Sequence, residues 1–245
     1  MNSRDMMAIA SARLLQDHQR VLVGVGTPNI AANIAKRLHA PNLVMIYESG
    51  VIDAMPKKLP LSIGDGTLVD EALAVLPMGE LFSHYLQTGW IDIGFLGAAQ
   101  IDSRGNLNST VIGPYTHPKV RLAGSGGAAD IACHARRTII LLPHTRDRFA
   151  AELDFITSPG HPRHGAHPDG RGPWRVVTDL GMFGFDERGE MVCLALMPGH
   201  TYEEILDHSG WQIPRAASLE QVSEPTSREV QTLQALYATL PGGGK

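Results

Sequence analysis

Four stretches of this 245-residue sequence combine residue types and spacings that could carry chemistry. The first is Tyr47-Glu48-Ser49-Gly50, which follows the apolar run Leu43-Val44-Met45-Ile46. Bounded by Pro41-Asn42 and Ser49-Gly50, that run reads as a buried strand, so Glu48 stands where a strand ends and the chain turns. In open α/β sheets ligands bind outside the carboxyl ends of the strands, which places a carboxylate there for chemistry. The plainer alternative is an exposed loop glutamate. The second stretch is Gly124-Ser125-Gly126-Gly127-Ala128-Ala129-Asp130. Its backbone N–H groups, free of bulky side chains and just ahead of a helix, form a nest for negative charge; the alternative is a surface turn. The third, Gly24-Val25-Gly26 before Thr27-Pro28, begins like a dinucleotide fingerprint, but Asn29 stands where the third glycine belongs. The glycines can equally let the backbone pass close to something at the sheet edge. The fourth is His161, His164 and His167, spaced three apart. Prolines and glycines forbid a helix that would align them, and no cysteine or carboxylate set stands beside them, so a solvated loop is expected and no metal.

These residues need elements to hold them. A helix is expected over 3–18, with Ser3 as a possible N-cap, then a strand over 20–26. A helix follows from Thr27 as N-cap through residue 38, then a strand over 42–47, and two such steps argue for a parallel sheet. The proline-rich 55–60 cannot be regular; 67–76 reads as a short helix and 91–96 as a buried strand. Ser103-Arg104-Gly105-Asn106 is turn chemistry, and 107–112 returns as a strand. A helix over 128–135 and a strand over 138–142 come next. Segments 175–178, 181–185 and 190–197 read as consecutive antiparallel strands, with Asp186-Glu187-Arg188-Gly189 as a hairpin turn. Thr201 and Glu204 form a capping box for a helix over 201–208, and 225–240 is the last helix before a frayed tail at 241–245. The expected fold class is α/β: an open, mostly parallel sheet flanked by helices, with an antiparallel hairpin region in the C-terminal half. Composition shows no break, so 1–245 is expected to be one domain.

The net charge of −4 is no basic footprint for nucleic acid. Cys133 and Cys193, both in apolar surroundings, read as buried thiols of a reducing compartment. The N-terminus has no apolar core of a signal peptide, and no stretch approaches the ~20 apolar residues of a membrane span, so a cytoplasmic protein is expected.

The order of the motifs carries more than any one of them. Tyr-Glu-Ser-Gly at 47–50 is followed by Ser-Ile-Gly-Asp at 62–65 and Gly-Ala-Ala-Gln-Ile-Asp at 97–102. Then come Gly105-Asn106, Asn108-Ser109-Thr110 and Gly-Ser-Gly-Gly-Ala at 124–128. This order resembles the β subunit of the family I coenzyme A transferases, of the glutaconate CoA-transferase kind. Thr157-Ser158-Pro159-Gly160 and Val177-Thr178-Asp179 also fit, and the resemblance runs from about residue 5 to about residue 235. It implies that Glu48 is the catalytic glutamate and that Gly126 and Gly127 supply an oxyanion hole. It also implies an α subunit as partner, acyl-CoA and carboxylic acid substrates, and no cofactor, coenzyme A entering as a substrate. Relatives that lack the glutamate carry out hydrolytic ring opening or decarboxylation, and retention of Glu48 favours transfer. The alternatives are an acyl-CoA hydrolase or decarboxylase on the same fold, or a non-catalytic module that binds a small metabolite.

Overall fold

A computed structural model describes residues 1–56, 58–167 and 169–240; the tail expected at 241–245 lies outside them. The chain divides into two units, Met1–Phe95 with Glu224–Lys245, and Leu96–Ser223.

The first unit starts with α1 (Ser3–Ala12), and its cap is Asn2 rather than Ser3. The Asn2 side chain accepts the Asp5 N–H at 2.9 Å, and the Asp5 carboxylate accepts the Asn2 N–H at 3.0 Å. Such a reciprocal pair is typically worth about 1 kcal/mol. The helix stops well short of residue 18, closing with bonds from Leu14 N–H to the Ser11 carbonyl and Leu15 N–H to the Ala12 carbonyl; His18, at a left-handed φ of 63°, then turns the chain into β1 (Arg20–Val23). Next comes α2 (Thr27–Leu38), whose N-cap is Gly26 rather than Thr27. It is followed by β2 (Val44–Tyr47), β3 (Val51–Ile52) and β4 (Ala74–Val75). The helix expected over 67–76 is a single 3₁₀ turn at Gly66–Val69. Only Leu68 of that turn is buried, so no apolar stripe holds a longer helix to the core. A helical segment that periodicity did not reveal follows: α3 (Met78–Glu80), continued by a π turn over Leu81–Leu86. It leads to β5 (Ile93–Leu96). Strand β1 lies between β5 and β2, parallel to both, with Val23 opposite Tyr47. β3 runs antiparallel to β2 and to β4. Val21, Leu22 and Val23 are fully buried, the unbroken apolar run of a strand covered on both faces.

In the second unit, β6 (Gln100–Ile101) and β7 (Leu107–Asn108) form a hairpin. The Asp102 carboxylate holds its turn, accepting the N–H groups of Arg104 and Asn106. The single strand expected over 107–112 is broken: Asn108 Oδ1 accepts the N–H of Thr110 at 2.9 Å and of Val111 at 3.3 Å, a side-chain turn that ends β7. β8 (Val111–Ile112) then pairs with β9 (Val120–Arg121). After α4 (Ala128–His134) come β10 (Arg137–Leu141), β11 (Pro173–Val177), β12 (Gly181–Phe185) and β13 (Met191–Leu196). β10 and β11 are parallel, and β11, β12 and β13 form the antiparallel hairpin region. α5 (Tyr202–Asp207) carries the Thr201–Glu204 capping box, and β14 (Arg215–Gln221), which sequence pattern did not reveal, pairs parallel with β13.

The chain then returns to the first unit as α6 (Ser227–Tyr237), capped by Thr226 and Glu229. Glu229 also takes a two-pronged ion pair from Arg13 at 2.8 Å, tying α6 to the end of α1. The arginine and its hydrogen bond hold the Glu229 carboxyl down at about 2. One expectation about the thiols is corrected. Cys193 is buried, and burial pushes its pKa up to about 12, whereas Cys133 is exposed. α4 is too short to bury more than Ile131 and Ala132, so the next position faces out.

Candidate active site

Tyr47 closes β2, and Glu48 and Ser49 make the turn that follows. Gly50 completes it with a φ of 97°, its N–H donating to the Tyr47 carbonyl at 2.9 Å and its carbonyl accepting from Leu76 N–H at 2.9 Å. A Cβ at Gly50 would fall 1.8 Å from the Leu76 carbonyl oxygen, so this position admits glycine alone. The turn therefore holds Glu48 at the carboxyl end of β2. Its side chain is half-buried and makes no hydrogen bond or ion pair among the described residues. Loss of water raises its carboxyl pKa above the ordinary 4.5. Beside it, Ser49 Oγ is sealed from solvent without a partner among the described residues.

Tyr47 is fully buried, and burial pushes its phenol pKa up. The phenol donates to Asn29 Oδ1 at 2.7 Å, linking β2 to the first turn of α2. The position where a dinucleotide fingerprint needs its third glycine thus holds a buried amide bonded to the strand that carries Glu48.

The second unit holds Gly126 and Gly127. Gly124 and Gly126 take positive φ values of 90° and 49°, and Gly127 is the N-cap of α4 with φ −81°. The loop is anchored at both ends. Gly124 N–H donates to the Ser109 carbonyl at 2.9 Å, and Ser109 Oγ donates to the Gly124 carbonyl at 2.9 Å. Ala128 N–H donates to the Ser125 carbonyl at 2.9 Å. Between these anchors the N–H groups of Gly126 and Gly127 have no partner among the described residues. A Cβ at Gly126 would meet nothing within 4 Å, so the approach is open. Free, fixed amide donors are what a developing oxyanion requires.

Sequence spacing missed what holds this loop. Ser109 N–H donates to Thr157 Oγ1 at 2.9 Å, and Thr110 and Thr157 share a hydroxyl hydrogen bond of 2.7 Å. Asn108, fully buried, donates to Gln100 Oε1 at 2.7 Å. Asn108-Ser109-Thr110 is thus the scaffold of the glycine loop. Of the three histidines, His161 is buried, with Nε2–H donating to the Pro173 carbonyl at 2.9 Å and Nδ1 accepting from His167 N–H at 3.4 Å. Both ring nitrogens are engaged within the protein.

The coenzyme A transferase family model matches residues 4–208. The β subunit of the 3-oxoadipate CoA-transferase of Pseudomonas knackmussii is 45% identical, over 97% of this chain and 94% of its own length. The β subunit of the glutaconate CoA-transferase of Acidaminococcus fermentans is 38% identical, over 89% of this chain and 86% of its own. The crystal structure of that glutaconate enzyme superposes with a TM-score of 0.88 at 34% identity, covering 96% of this chain and 94% of that one. The chain belongs to the coenzyme A transferase family. Within it, the chain is a CoA-transferase β subunit, the counterpart of these two relatives. Among the described residues, no helix is long and apolar enough to cross a membrane.

Proposed function

We propose that this chain is one half of a cytoplasmic α/β heteromeric CoA-transferase that moves CoA from an acyl-CoA to a carboxylic acid through a glutamyl-CoA thioester on Glu48. The observation that carries this reading is the Glu48 carboxylate, half-buried, without a counter-ion among the described residues and raised in pKa at the carboxyl end of β2. A carboxylate is a weak nucleophile, and stripping it of water and of hydrogen bonds makes it a better one. Both relatives are named for dicarboxylates, 3-oxoadipate and glutaconate, so a short dicarboxylate is the substrate class.

Glu48 attacks the thioester carbonyl; the C–S bond breaks, leaving an acyl-glutamyl anhydride and CoA thiolate. The thiolate attacks the glutamyl carbonyl, the anhydride C–O bond breaks, and the first acid leaves as its carboxylate. Glu48 is then a glutamyl-CoA thioester. A second carboxylate attacks that thioester, and the same steps in reverse return free Glu48 and a new acyl-CoA. Each tetrahedral intermediate carries an oxyanion, for which the Gly126 and Gly127 amides are the donors. One such donor is worth about 3–4 kcal/mol. The long CoA moiety lies away from the reacting bond, and its binding energy offsets the ordering at the carbonyl.

The test is chemical trapping. The assembled enzyme, incubated with acyl-CoA and no acceptor, is treated with hydroxylamine or borohydride and digested for peptide mapping. A hydroxamate or an alcohol at Glu48 is expected, and modification only at another residue overturns the assignment.

A further inference from the structure

A cavity of about 330 Å³ opens at the N-terminal end of α2, within the first unit. Val25, Ile30, Leu59 and Leu61 supply its apolar walls; among the described residues Arg4 is its one charge and no acidic side chain lines it. Asn29 lines it too, although that residue is only 2% exposed.

The hydrogen-bond network determines which way the Asn29 amide points. Asn33 Nδ2 donates to the Asn29 main-chain carbonyl at 3.0 Å, so it is a nitrogen, and the side-chain atom of Asn29 that it also meets at 3.0 Å is the oxygen. That oxygen accepts the Tyr47 phenol as well. The Asn29 Nδ2 group is left with two N–H donors and no partner among the described residues, and it is not one of the sealed orphan atoms. It is therefore the polar group that this nearly buried side chain presents to the cavity.

Two backbone features add to it. The N-cap of α2 is Gly26, with no side chain to cap the helix, and no acidic residue stands in the first turn. The N–H groups of Thr27 and Asn29 take no partner among the described residues, and Pro28 has none to offer. The end of a twelve-residue helix carries a partial positive charge of about half a unit. Amide donors, that dipole and Arg4 all favour an anion, and the four apolar walls favour one with a hydrocarbon body.

We propose that this cavity is a binding site for a small organic carboxylate with a short apolar chain. The Asn29 amide and the free N–H groups of α2 hold the carboxylate, Arg4 balances its charge, and the chain lies against Ile30, Leu59 and Leu61. Because Asn29 Oδ1 holds Tyr47, the occupied site is one hydrogen bond from the residue that precedes Glu48. The assignment concerns binding and does not require Glu48 to be the nucleophile.

The experiment titrates pentanoate, with uncharged pentanamide as its control, into the enzyme assembled with its partner subunit. Pentanoate should bind, and pentanamide about tenfold more weakly or worse, as loss of a charge-assisted contact implies. Asn29→Asp keeps the acceptor oxygen for Tyr47 and Asn33 but replaces the donor with a second oxygen; it should weaken pentanoate about tenfold or more. Arg4→Gln, at an exposed position, should weaken it also and carries the test if Asn29→Asp does not fold. Glu48→Ala should bind pentanoate as the parent does, which separates this site from the transfer reaction. Parent-like binding by a folded Asn29→Asp or by Arg4→Gln, equal binding of pentanamide, no binding by the parent, or loss of binding in Glu48→Ala would each overturn the proposal.

Discussion

Ser109 grips Gly124 at both of its peptide groups: the Ser109 carbonyl accepts the Gly124 N–H, and the Ser109 hydroxyl donates to the Gly124 carbonyl, each at 2.9 Å. Gly124 sits at φ 90°, a conformation open to glycine, and it begins the turn that leaves the Gly126 and Gly127 amides free. Ser109 is thus a positioning residue for the loop, and Thr157 positions Ser109 in turn.

Ser109→Ala deletes one of the two bonds and leaves the other. The net loss of stability should be about 1 kcal/mol. Turnover should fall about tenfold or more, since a shift of about 1 Å in a catalytic group can cost a hundredfold. Steady-state kinetics should show the loss in kcat with the acyl-CoA KM nearly unchanged, and Ser109→Thr should restore it. A parallel loss in Ser109→Thr, or an effect on thermal stability alone, would give the residue a purely structural role.

Gly127 tests the loop without backbone strain. Its φ of −81° and ψ of −2° are open to any residue, unlike the φ of 49° at Gly126. Gly127→Val should keep the fold and place a branched side chain in front of the amides. A fall in kcat of about a hundredfold is expected, the usual effect of losing an oxyanion donor. Full turnover in a well-folded variant would show that the loop does not face the reacting carbonyl.

Burial of the Glu48 carboxylate costs stability. Its folded pKa is raised by burial, so keeping it charged opposes folding. The sign follows: the contribution favours the fold below the unfolded value near 4.5 and is lost as pH rises through the raised folded value. At neutral pH Glu48→Gln should therefore melt higher than the parent while losing transfer altogether. The acid limb of the parent's kcat/KM profile should lie above 4.5, because in the proposed mechanism only the carboxylate attacks. A lower melting temperature for Glu48→Gln at pH 7.5 would contradict the desolvated carboxylate.

Glu48→Asp probes geometry instead of charge. It draws the carboxylate back by about 1.5 Å, one C–C bond. Anhydride formation should fall steeply, while the retracted carboxylate can act as a base on a water in the space left. Thiol release assayed with and without an acid acceptor should show lost transfer and slow acyl-CoA hydrolysis, with neither activity in Glu48→Ala. Parent-like transfer by Glu48→Ala would reduce Glu48 to a loop residue.

His144 should govern acid stability of the second unit. It stacks on Phe149 with ring centres 3.7 Å apart, and its Nε2–H donates to Ser209 Oγ at 2.9 Å. Burial, and then the charge on His208, push its pKa down to about 3. The fold thus favours the neutral ring, and its contribution is complete above the unfolded 6.5 and lost as pH falls from there towards 3. His144→Phe removes the titration, and Ser209 keeps its 2.7 Å bond to the Ile205 carbonyl. Melting temperatures taken across pH 4–8 should fall less steeply on the acid side than the parent's; a curve parallel to the parent's would exclude this role.

Much of the frame was legible because its causes are local. The run Leu43-Val44-Met45-Ile46 ending at Ser49-Gly50 places β2 and its turn, since a strand buried on both faces needs unbroken apolar residues and the sharp turn needs glycine. Thr201 and Glu204 start α5 because both partners of the capping box lie within one helical turn. Where pairing lies far along the chain, local pattern fails. β14 is polar and largely exposed, and it is a strand because β13 offers it a partner. The break at Asn108, the grip of Ser109 on Gly124 and the support of Thr157 join residues up to 48 apart in sequence. The same holds for the buried amide of Asn29 against Tyr47, and for Glu48 itself. Residue type made Glu48 a candidate nucleophile, but its raised pKa comes from the atoms that folding packs around it to exclude water, and only the tertiary structure brings those together.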